Sequence, residues 1–264
     1  MEIIRLRAFT DNYIWGLRHE GLLAVVDPGE ATPVLDYLAR SGDRLVAILL
    51  THHHGDHIDG MAELCKLGDI EVFGPGVEEI AGVTQPLHGG ETIALPGFSA
   101  GDALQVLSVP GHTRSHLAYY RPGALFCGDT LFTLGCGRVF DSTPAMLWQT
   151  LERITALPPE TLVYCAHEYT YLNLPFALAV EPGNPLLQAR AKTLREKIVA
   201  GTPTVPATLA AELETNVFLR PDSSEVIASV QRYCGHSGQP ALASPVEIFT
   251  ALRAWRNTFQ APSN

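Results

Sequence analysis

By the spacing of their apolar and polar positions, residues 2–8, 13–18 and 22–27 read as three short strands, the last closed by the turn Asp27-Pro28-Gly29. A helical pattern follows over 32–40, with Pro33 in its first turn and Ser41-Gly42 at its end. The unbroken apolar run 45–50 reads as a buried strand. A helix is predicted over about 58–67, then strands near 70–73, 91–94, 104–109, 116–121 and 124–128, separated by turn signals such as His88-Gly89-Gly90. Thr143-Pro144 opens a further helix with Leu147, Leu151 and Ile154 along one face, Pro158-Pro159 ends it, and 161–165 is a last strand. Strands and helices mixed in this order predict a layered α/β sandwich.

Beyond about residue 172 the pattern changes. No convincing strand remains, and helical segments separated by prolines dominate. One helix is predicted over 185–200 and another over 245–258, the latter opened by Ser244-Pro245-Val246-Glu247, which fits a capping box. The expected division is therefore 1–172 and 173–264. No internal repeat or low-complexity tract interrupts it.

Composition narrows the class. With 264 residues, 46% hydrophobic and 17% charged, the chain can bury a sizeable core. No apolar stretch is long enough to span a bilayer, and the first residues lack a signal-peptide pattern, so no membrane partner is expected. The five cysteines form no CxxC pair, which fits a reduced, cytoplasmic setting. A formal charge of −10 argues against a nucleic-acid partner. It leaves an anionic small substrate possible, because bound cations and local arginines can reverse the potential in a cleft. Gly-rich phosphate loops, dinucleotide fingerprints and HExxH are absent.

The chemistry concentrates in Thr51-His52-His53-His54-Gly55-Asp56-His57, which holds four of the ten histidines and directly follows the 45–50 strand. Side chains at i and i+2 of an extended segment share one side, so His52 and His54 can meet one metal ion. Gly55 lets the backbone turn, and Asp56 and His57 can then face a second position. Three more candidates sit at predicted strand ends: His112, Asp129 and His167. Together these are five imidazoles and two carboxylates, too many for one ion and about right for two that share a carboxylate. Imidazole and carboxylate without thiolate suits zinc, iron or manganese.

This THHHGDH motif, with Pro110-Gly111-His112-Thr113, Cys127-Gly128-Asp129-Thr130 and His167, resembles the metallo-β-lactamase fold superfamily. Within it, Asp11-Asn12-Tyr13, Val26-Asp27-Pro28-Gly29, Gly135-Cys136-Gly137-Arg138, Cys165-Ala166-His167-Glu168-Tyr169 and Asn216-Val217-Phe218-Leu219-Arg220 look like glyoxalase II, the hydroxyacylglutathione hydrolase family. The resemblance runs from near residue 8 to Phe259. It implies an αββα sandwich with a C-terminal helical domain, and a metal-dependent thioesterase that splits S-D-lactoylglutathione into D-lactate and glutathione. It also implies two divalent ions, zinc first and iron or manganese as alternatives, in a monomer. His52, His54 and His112 would hold the first ion, and Asp56, His57 and His167 the second. Asp129 would bridge both, with Asp56 and Asp129 as the catalytic carboxylates around a bridging hydroxide. Arg138, Phe140, Tyr169, Arg253 and Arg256 fall at substrate-binding positions, the last two at those that meet the glycine carboxylate of glutathione. Arg253 and Arg256, spaced i and i+3, share a helix face beside the apolar stripe Ile248, Leu252, Trp255 and Phe259.

Three positions depart from the family pattern. Phe140 replaces a tyrosine that hydrogen-bonds glutathione in some relatives, Ser115 replaces a glycine of GHTxGH, and Asp59 replaces the first glycine after the metal motif. His53 should point away from its neighbours, His116 should be structural or support a ligand, and Asp27 either steadies the ligand loop or forms a plain turn. A single-iron dioxygenase on the same fold would not need Asp56, His57 and His167 together. A nuclease would show a basic groove, and a structural zinc protein would close its site with cysteine.

Overall fold

The computed structural model describes residues 1–236, 242 and 244–261. Two six-stranded sheets face each other. The first carries β1 (Glu2–Ala8), β2 (Asn12–His19), β3 (Leu22–Val26), β4 (Arg44–Leu49), β5 (Glu71–Pro75) and β6 (Gln85–Leu87) in chain order. The second carries β7 (Thr92–Ile93), β8 (Leu104–Ser108), β9 (Leu117–Arg121), β10 (Ala124–Gly128), β13 (Leu162–Cys165) and β14 (Ala207–Thr208). A small hairpin, β11 (Leu131–Phe132) and β12 (Gly135–Cys136), stands apart from both.

The first sheet is buried on both faces, which is why β4 reads as an unbroken apolar run. Val46, Ala47 and Leu49 enter the core between the sheets with Trp15, Val106, Tyr119 and Phe126. Leu45, Ile48 and Leu50 face the opposite way, into a second core with Val34 of α1 (Thr32–Ser41) and Leu64 of α3 (Met61–Leu64). On the far side, α4 (Pro144–Thr155) buries Leu147, Leu151 and Ile154 against the second sheet. The layers are α, β, β, α. The remaining helices, α5 (Thr170–Val180), α6 (Pro185–Val199), α7 (Leu209–Thr215), α8 (Ser224–His236) and α9 (Pro245–Thr258), join the inter-sheet core through Phe176, Leu187, Leu209, Val230 and Phe249. Helix α5 runs across residue 172.

The segment predicted as one helix over 58–67 is broken. It forms α2 (Gly55–Ile58), α3 and a 3₁₀ turn at Cys65–Leu67. The cause is Gly60, whose N–H donates to the Pro28 carbonyl at 3.0 Å. A Cβ there would lie only 2.6 Å from that same oxygen. The strand near 91–94 shrinks to Thr92–Ile93. Strands β6, β11, β12 and β14 are additions of two or three residues each, too short to leave a period-two pattern. β14 lies in the region where no strand is predicted, and pairs antiparallel with the edge of β13.

The helical region is pinned by a buried carboxylate. Glu181, 2% exposed, accepts from Arg220 Nε and Nη2 at 2.9 and 2.8 Å, from Ser223 Oγ at 2.6 Å and from Asn184 Nδ2 at 2.9 Å. Asn184 in turn caps α6, its Oδ1 accepting from Leu186 and Leu187 N–H. Burial raises the Glu181 pKa, but the hydrogen bonds from Arg220, Ser223 and Asn184 outweigh it and hold the carboxyl below its usual range. Arg220→Ala should cost about 3–5 kcal/mol at pH 7, because it strands a buried charge. A depressed carboxyl pKa stabilises above the unfolded value and loses that stabilisation as pH falls through the folded one. The gap between wild type and Arg220→Ala should therefore narrow below about pH 4.5, the ordinary value for this carboxyl. Denaturant titrations at pH 7 and at acid pH read both effects, and a gap that does not depend on pH would refute the carboxylate's role.

Candidate metal centre

Strands β8, β10 and β13 run in one direction, β8 and β10 each antiparallel to β9 and β13 parallel to β10. Their C-terminal ends therefore reach the same edge, and they deliver His112, Asp129 and His167 there. β4 brings His52 to the same rim from the other sheet. Backbone hydrogen bonds stitch the seam: Leu117 N–H donates to Thr51 O at 2.8 Å and Tyr13 N–H to Ala166 O at 2.7 Å.

All seven sequence-predicted ligands converge. His54 Nδ1 lies 3.1 Å from both His52 Nε2 and His112 Nε2. Asp56 Oδ2 lies 3.5 Å from His57 Nε2 and 3.4 Å from His167 Nε2. Asp129 stands between the two sets. Its Oδ2 is 3.4 Å from His112 Nε2, while its Oδ1 is 3.5 Å from His57 Nε2 and 3.3 Å from His167 Nε2. Donors about 3.3–3.4 Å apart are what tetrahedral bonds of ~2.0–2.1 Å require. His57 Nε2 and Asp129 Oδ1 are buried and make no hydrogen bond, as ligand atoms aimed at an ion would be. The donor set thus fits divalent metal.

The opposite ring nitrogens are occupied. Nδ1 of His112 faces the Arg138 carbonyl at 2.7 Å, His167 faces Asp11 Oδ1 at 2.9 Å and His57 faces Asp27 Oδ2 at 3.0 Å. His52 Nδ1 faces Thr51 Oγ1 at 3.0 Å, and that hydroxyl donates to Asp27 Oδ2 at 2.7 Å. Such acceptors fix the tautomer that leaves Nε2 bare toward the metal. Asp27 also accepts from Thr51 N–H at 2.7 Å, so one carboxylate orients a histidine of each set. Its backbone sits at φ 53°, a conformation costing on the order of 1–3 kcal/mol in a non-glycine residue. Asp27 shares a possible donor group with His52 and His57. Its oxygens are spent on N–H and O–H groups, which makes it an orienting carboxylate rather than a ligand.

The charges are unequal across the centre. Burial and neighbouring imidazoles keep His52 well below its ordinary pKa, and burial likewise lowers His54 and His112. In the second set burial opposes charging, but Asp129 and Asp27 outweigh it and push His57 up to about 10. Asp129 and Asp56 similarly push His167 up to about 11. Both carboxyls are held well below their usual range, Asp56 by His167 and His57, and Asp129 by the same two rings against its burial. Carboxylates that hold protons this firmly on the facing imidazoles also draw cations, so metal uptake must displace the protons of His57 and His167 and should tighten as pH rises.

The substrate-binding candidates divide. Tyr169 stacks on His167 at 4.5 Å, and burial followed by Asp129 raises its pKa, so the phenol stays protonated. Phe140, 58% exposed, sets its ring edge-on to His54 and His112 at 5.0 and 5.1 Å, with the Arg138 guanidinium 5.6 Å from its centre. Arg253 is buried and gives Nη1 to the Cys136 carbonyl at 2.9 Å, and Arg256 gives Nη2 to the Leu172 carbonyl at 3.3 Å. Burial, then Arg253, lowers the Arg256 pKa. Neither arginine forms an ion pair among the described residues, and the Nε of each is buried without a partner. The stripe that docks α9 buries Ile248 and Leu252 fully, while Trp255 stacks on Tyr233 at 4.9 Å.

His53 turns away from the donors, its Nδ1 against the Glu78 carboxylate. His116 stacks on His52 at 4.6 Å, and its Nε2 accepts the Asp129 N–H at 3.2 Å. Sequence reasoning assigned no role to Asp11, which orients His167, or to Asn12, whose Nδ2 donates to Asp56 Oδ2 at 3.0 Å. Their only signal was membership of the Asp11-Asn12-Tyr13 motif.

Two family models tile the chain. That of the metallo-β-lactamase superfamily matches residues 9–167, and that of the hydroxyacylglutathione hydrolase C-terminus matches 168–259. A hydroxyacylglutathione hydrolase of Dechloromonas aromatica is 49% identical over 98% of this chain and 100% of its own length. The chain belongs to the hydroxyacylglutathione hydrolase family. A second member, from Xanthomonas campestris, is 45% identical over 99% of this chain and 100% of its own. Among solved structures, ETHE1 from Myxococcus xanthus shares the fold with a TM-score of 0.65 at 23% identity, covering 97% of this chain and 98% of its own. The protein TTHA1623, solved in a di-iron-bound form, has a TM-score of 0.57 at 25% identity, covering 83% of this chain and 100% of its own.

The geometry separates two adjacent histidines. His54→Ala should lose bound metal and activity together, because His54 Nδ1 closes the first donor set. His53→Ala should keep most of both, since its ring faces Glu78. Metal content by plasma mass spectrometry on the two purified variants is decisive, and equal losses would refute this ligand register.

Proposed function

We propose that this chain hydrolyses S-D-lactoylglutathione to D-lactate and glutathione at a pair of divalent ions, zinc first, with iron or manganese as alternatives. The observation that carries the proposal is Asp129, whose two carboxylate oxygens face two separate donor sets. His52, His54 and His112 would hold one ion and Asp56, His57 and His167 the other, and Asp129 would give one carboxylate oxygen to each. The di-iron form of a structural relative supports iron among the candidates. When bound, such ions lower the pKa of a water held between them and polarise a thioester carbonyl.

The residues supply the rest. Asp56 and Asp129 stay ionised and frame the position where the water oxygen attacks the carbonyl carbon. The new C–O bond forms as the C–S bond breaks, lactate leaves as its carboxylate and glutathione as its thiolate, and the water's two protons pass to solvent, from which the thiolate can recover one. Tyr169 offers a protonated hydroxyl beside His167, and Phe140 covers the first donor set from solvent. Arg253 and Arg256, close together and without an ion-pair partner among the described residues, suit the glycine carboxylate. We read residues 1–172 as the half that carries the metal ligands and residues 173–264 as a helical substrate-binding half; the meeting of the two family models at 167 and 168 supports a break in this region. Cys65, Cys127, Cys136 and Cys165 are thiols, which supports a cytoplasmic setting. No helix among the described residues is long and apolar enough to cross a membrane. We read the working unit as a monomer with no nucleic-acid partner.

Purified protein should carry close to two divalent ions per chain and lose activity on chelation. Asp129→Ala should be the most damaging ligand change because it touches both donor sets. A fully active preparation with a single ion would refute the dinuclear reading.

Substrate identity has its own test. Loss of a charge-assisted hydrogen bond worth roughly 1.5–3 kcal/mol lowers kcat/KM by about ten- to a hundredfold. A contact present in both ground and transition states acts on KM, so Arg256→Ala should raise KM with kcat nearly intact. With a thioester whose glycine carboxylate is amidated, Arg256→Ala should lose little more than wild type does. An equal loss on both substrates would remove the carboxylate from its role.

A further inference from the structure

The seven candidate ligands all lie at or before His167, yet the loop that carries one of them is gripped from the other half of the chain. Hairpin β11–β12 begins two residues after Asp129 and ends two residues before Arg138, whose carbonyl orients His112. Both ends of this short segment therefore meet the metal centre. Gly137 closes it, with its N–H donating to Thr130 O at 3.1 Å. A Cβ on Gly137 would lie 2.1 Å from the Asp129 carbonyl oxygen, so the residue that closes the hairpin packs directly on the backbone of Asp129.

Four polar side chains from beyond His167 hold that hairpin by its backbone. Asn216 Nδ2 donates to Phe132 O at 3.2 Å and to Gly135 O at 3.0 Å. Glu212 Oε2 accepts from Leu134 N–H at 2.8 Å, at a residue forced to φ 57°. Asn173 Nδ2 donates to Thr133 O at 3.1 Å, and Arg253 Nη1 to Cys136 O at 2.9 Å. Asn216 and Glu212 are fully buried and bonded to each other at 3.0 Å, and Arg190 neutralises Glu212. A buried, ionised side chain aimed at one backbone N–H is costly unless its position is fixed.

We propose that Asn216 and Glu212 are positioning residues for Asp129 and His112, so that the C-terminal helical region sets the metal affinity of a centre to which it gives no ligand. The inference rests on the dinuclear reading above. Arg253 joins the same clamp, which ties the substrate end of the cleft to the metal end through one hairpin.

The test measures zinc affinity of the full-length protein by competition with a chromogenic chelator, with thermal unfolding run in parallel. Asn216→Asp keeps the side chain's size and the cap on Phe218 N–H but removes both donors to the hairpin. Glu212→Leu keeps the side chain's bulk but removes the acceptor for Leu134 N–H, and it carries the test if Asn216→Asp does not fold. Val230→Ala in α8, buried and outside the clamp, controls for general destabilisation. Changes to residues that support metal ligands typically weaken affinity by 10–100-fold, so at least about a tenfold loss is expected in the clamp variants. Val230→Ala should melt earlier but bind zinc as wild type does. Clamp variants that melt earlier yet bind zinc within twofold of wild type would overturn the proposal. Wild type that binds no zinc would overturn instead the metal reading beneath it.

Discussion

Asp129 is a carboxylate removed from water among imidazoles, and most of the centre can be understood as making that placement tolerable. A buried anion needs compensation close by, and His57, His112 and His167 supply it from both sides. Those rings compensate only if each presents Nε2 inward. That orientation is imposed from behind by a second ring of acceptors: Asp11, Asp27 and the Arg138 carbonyl. Asp27 reaches two histidines at once, directly and through Thr51, from a left-handed backbone that other contacts must hold in place. Preorganisation of this kind moves the cost of assembling the centre from metal binding to folding.

The seam between the sheets is where such a site can be built. Each sheet ends there with loops that are free of the ladder, while the strands behind them are buried and rigid. His52 stands at the end of one sheet, and His112, Asp129 and His167 at the ends of three like-directed strands in the other. The seam is closed by backbone bonds such as Leu117 to Thr51 and by Tyr119, whose hydroxyl donates to Leu50 O at 2.7 Å. A shift of one sheet against the other would split both donor sets, drawing His112, Asp129 and His167 away from the ligands of the 52–57 loop.

Much of this was legible in the chain, for reasons that differ by element. Apolar runs and cap signals give β4, α4 and α9 closely, because their burial is regular and their ends carry Pro or a capping box. The ligand motif is legible because metal chemistry needs particular side chains at strand ends. The short α2–α3 pair is not, since Gly60 obeys a backbone contact with Pro28 rather than its own helix. Hairpin β11–β12 is likewise hidden: its partners are Asn173, Glu212, Asn216 and Arg253, bonded across 40 to 117 residues, farther than any periodicity reaches. Orienters such as Asp11 look like ordinary turn residues until the fold brings His167 beside them.

The net charge of −10 is the bulk property that fits an anionic substrate least well, and the structure shows why bulk charge is the wrong scale. Some acidic residues outside the centre are neutralised locally, as Asp43 is by Arg18 and Glu181 by Arg220. The cleft reverses that pattern. At one end Arg253 and Arg256 are held close together by backbone carbonyls, which fix guanidinium groups without neutralising them. At the other end the carboxylates are matched to imidazoles, and divalent cations held there would add further positive charge. An anionic tripeptide thioester would meet positive potential at both its carboxylate and its reacting carbonyl. Hairpin Leu131–Cys136 links those two points, following Asp129 in the chain at one end and accepting from Arg253 at Cys136 O at the other.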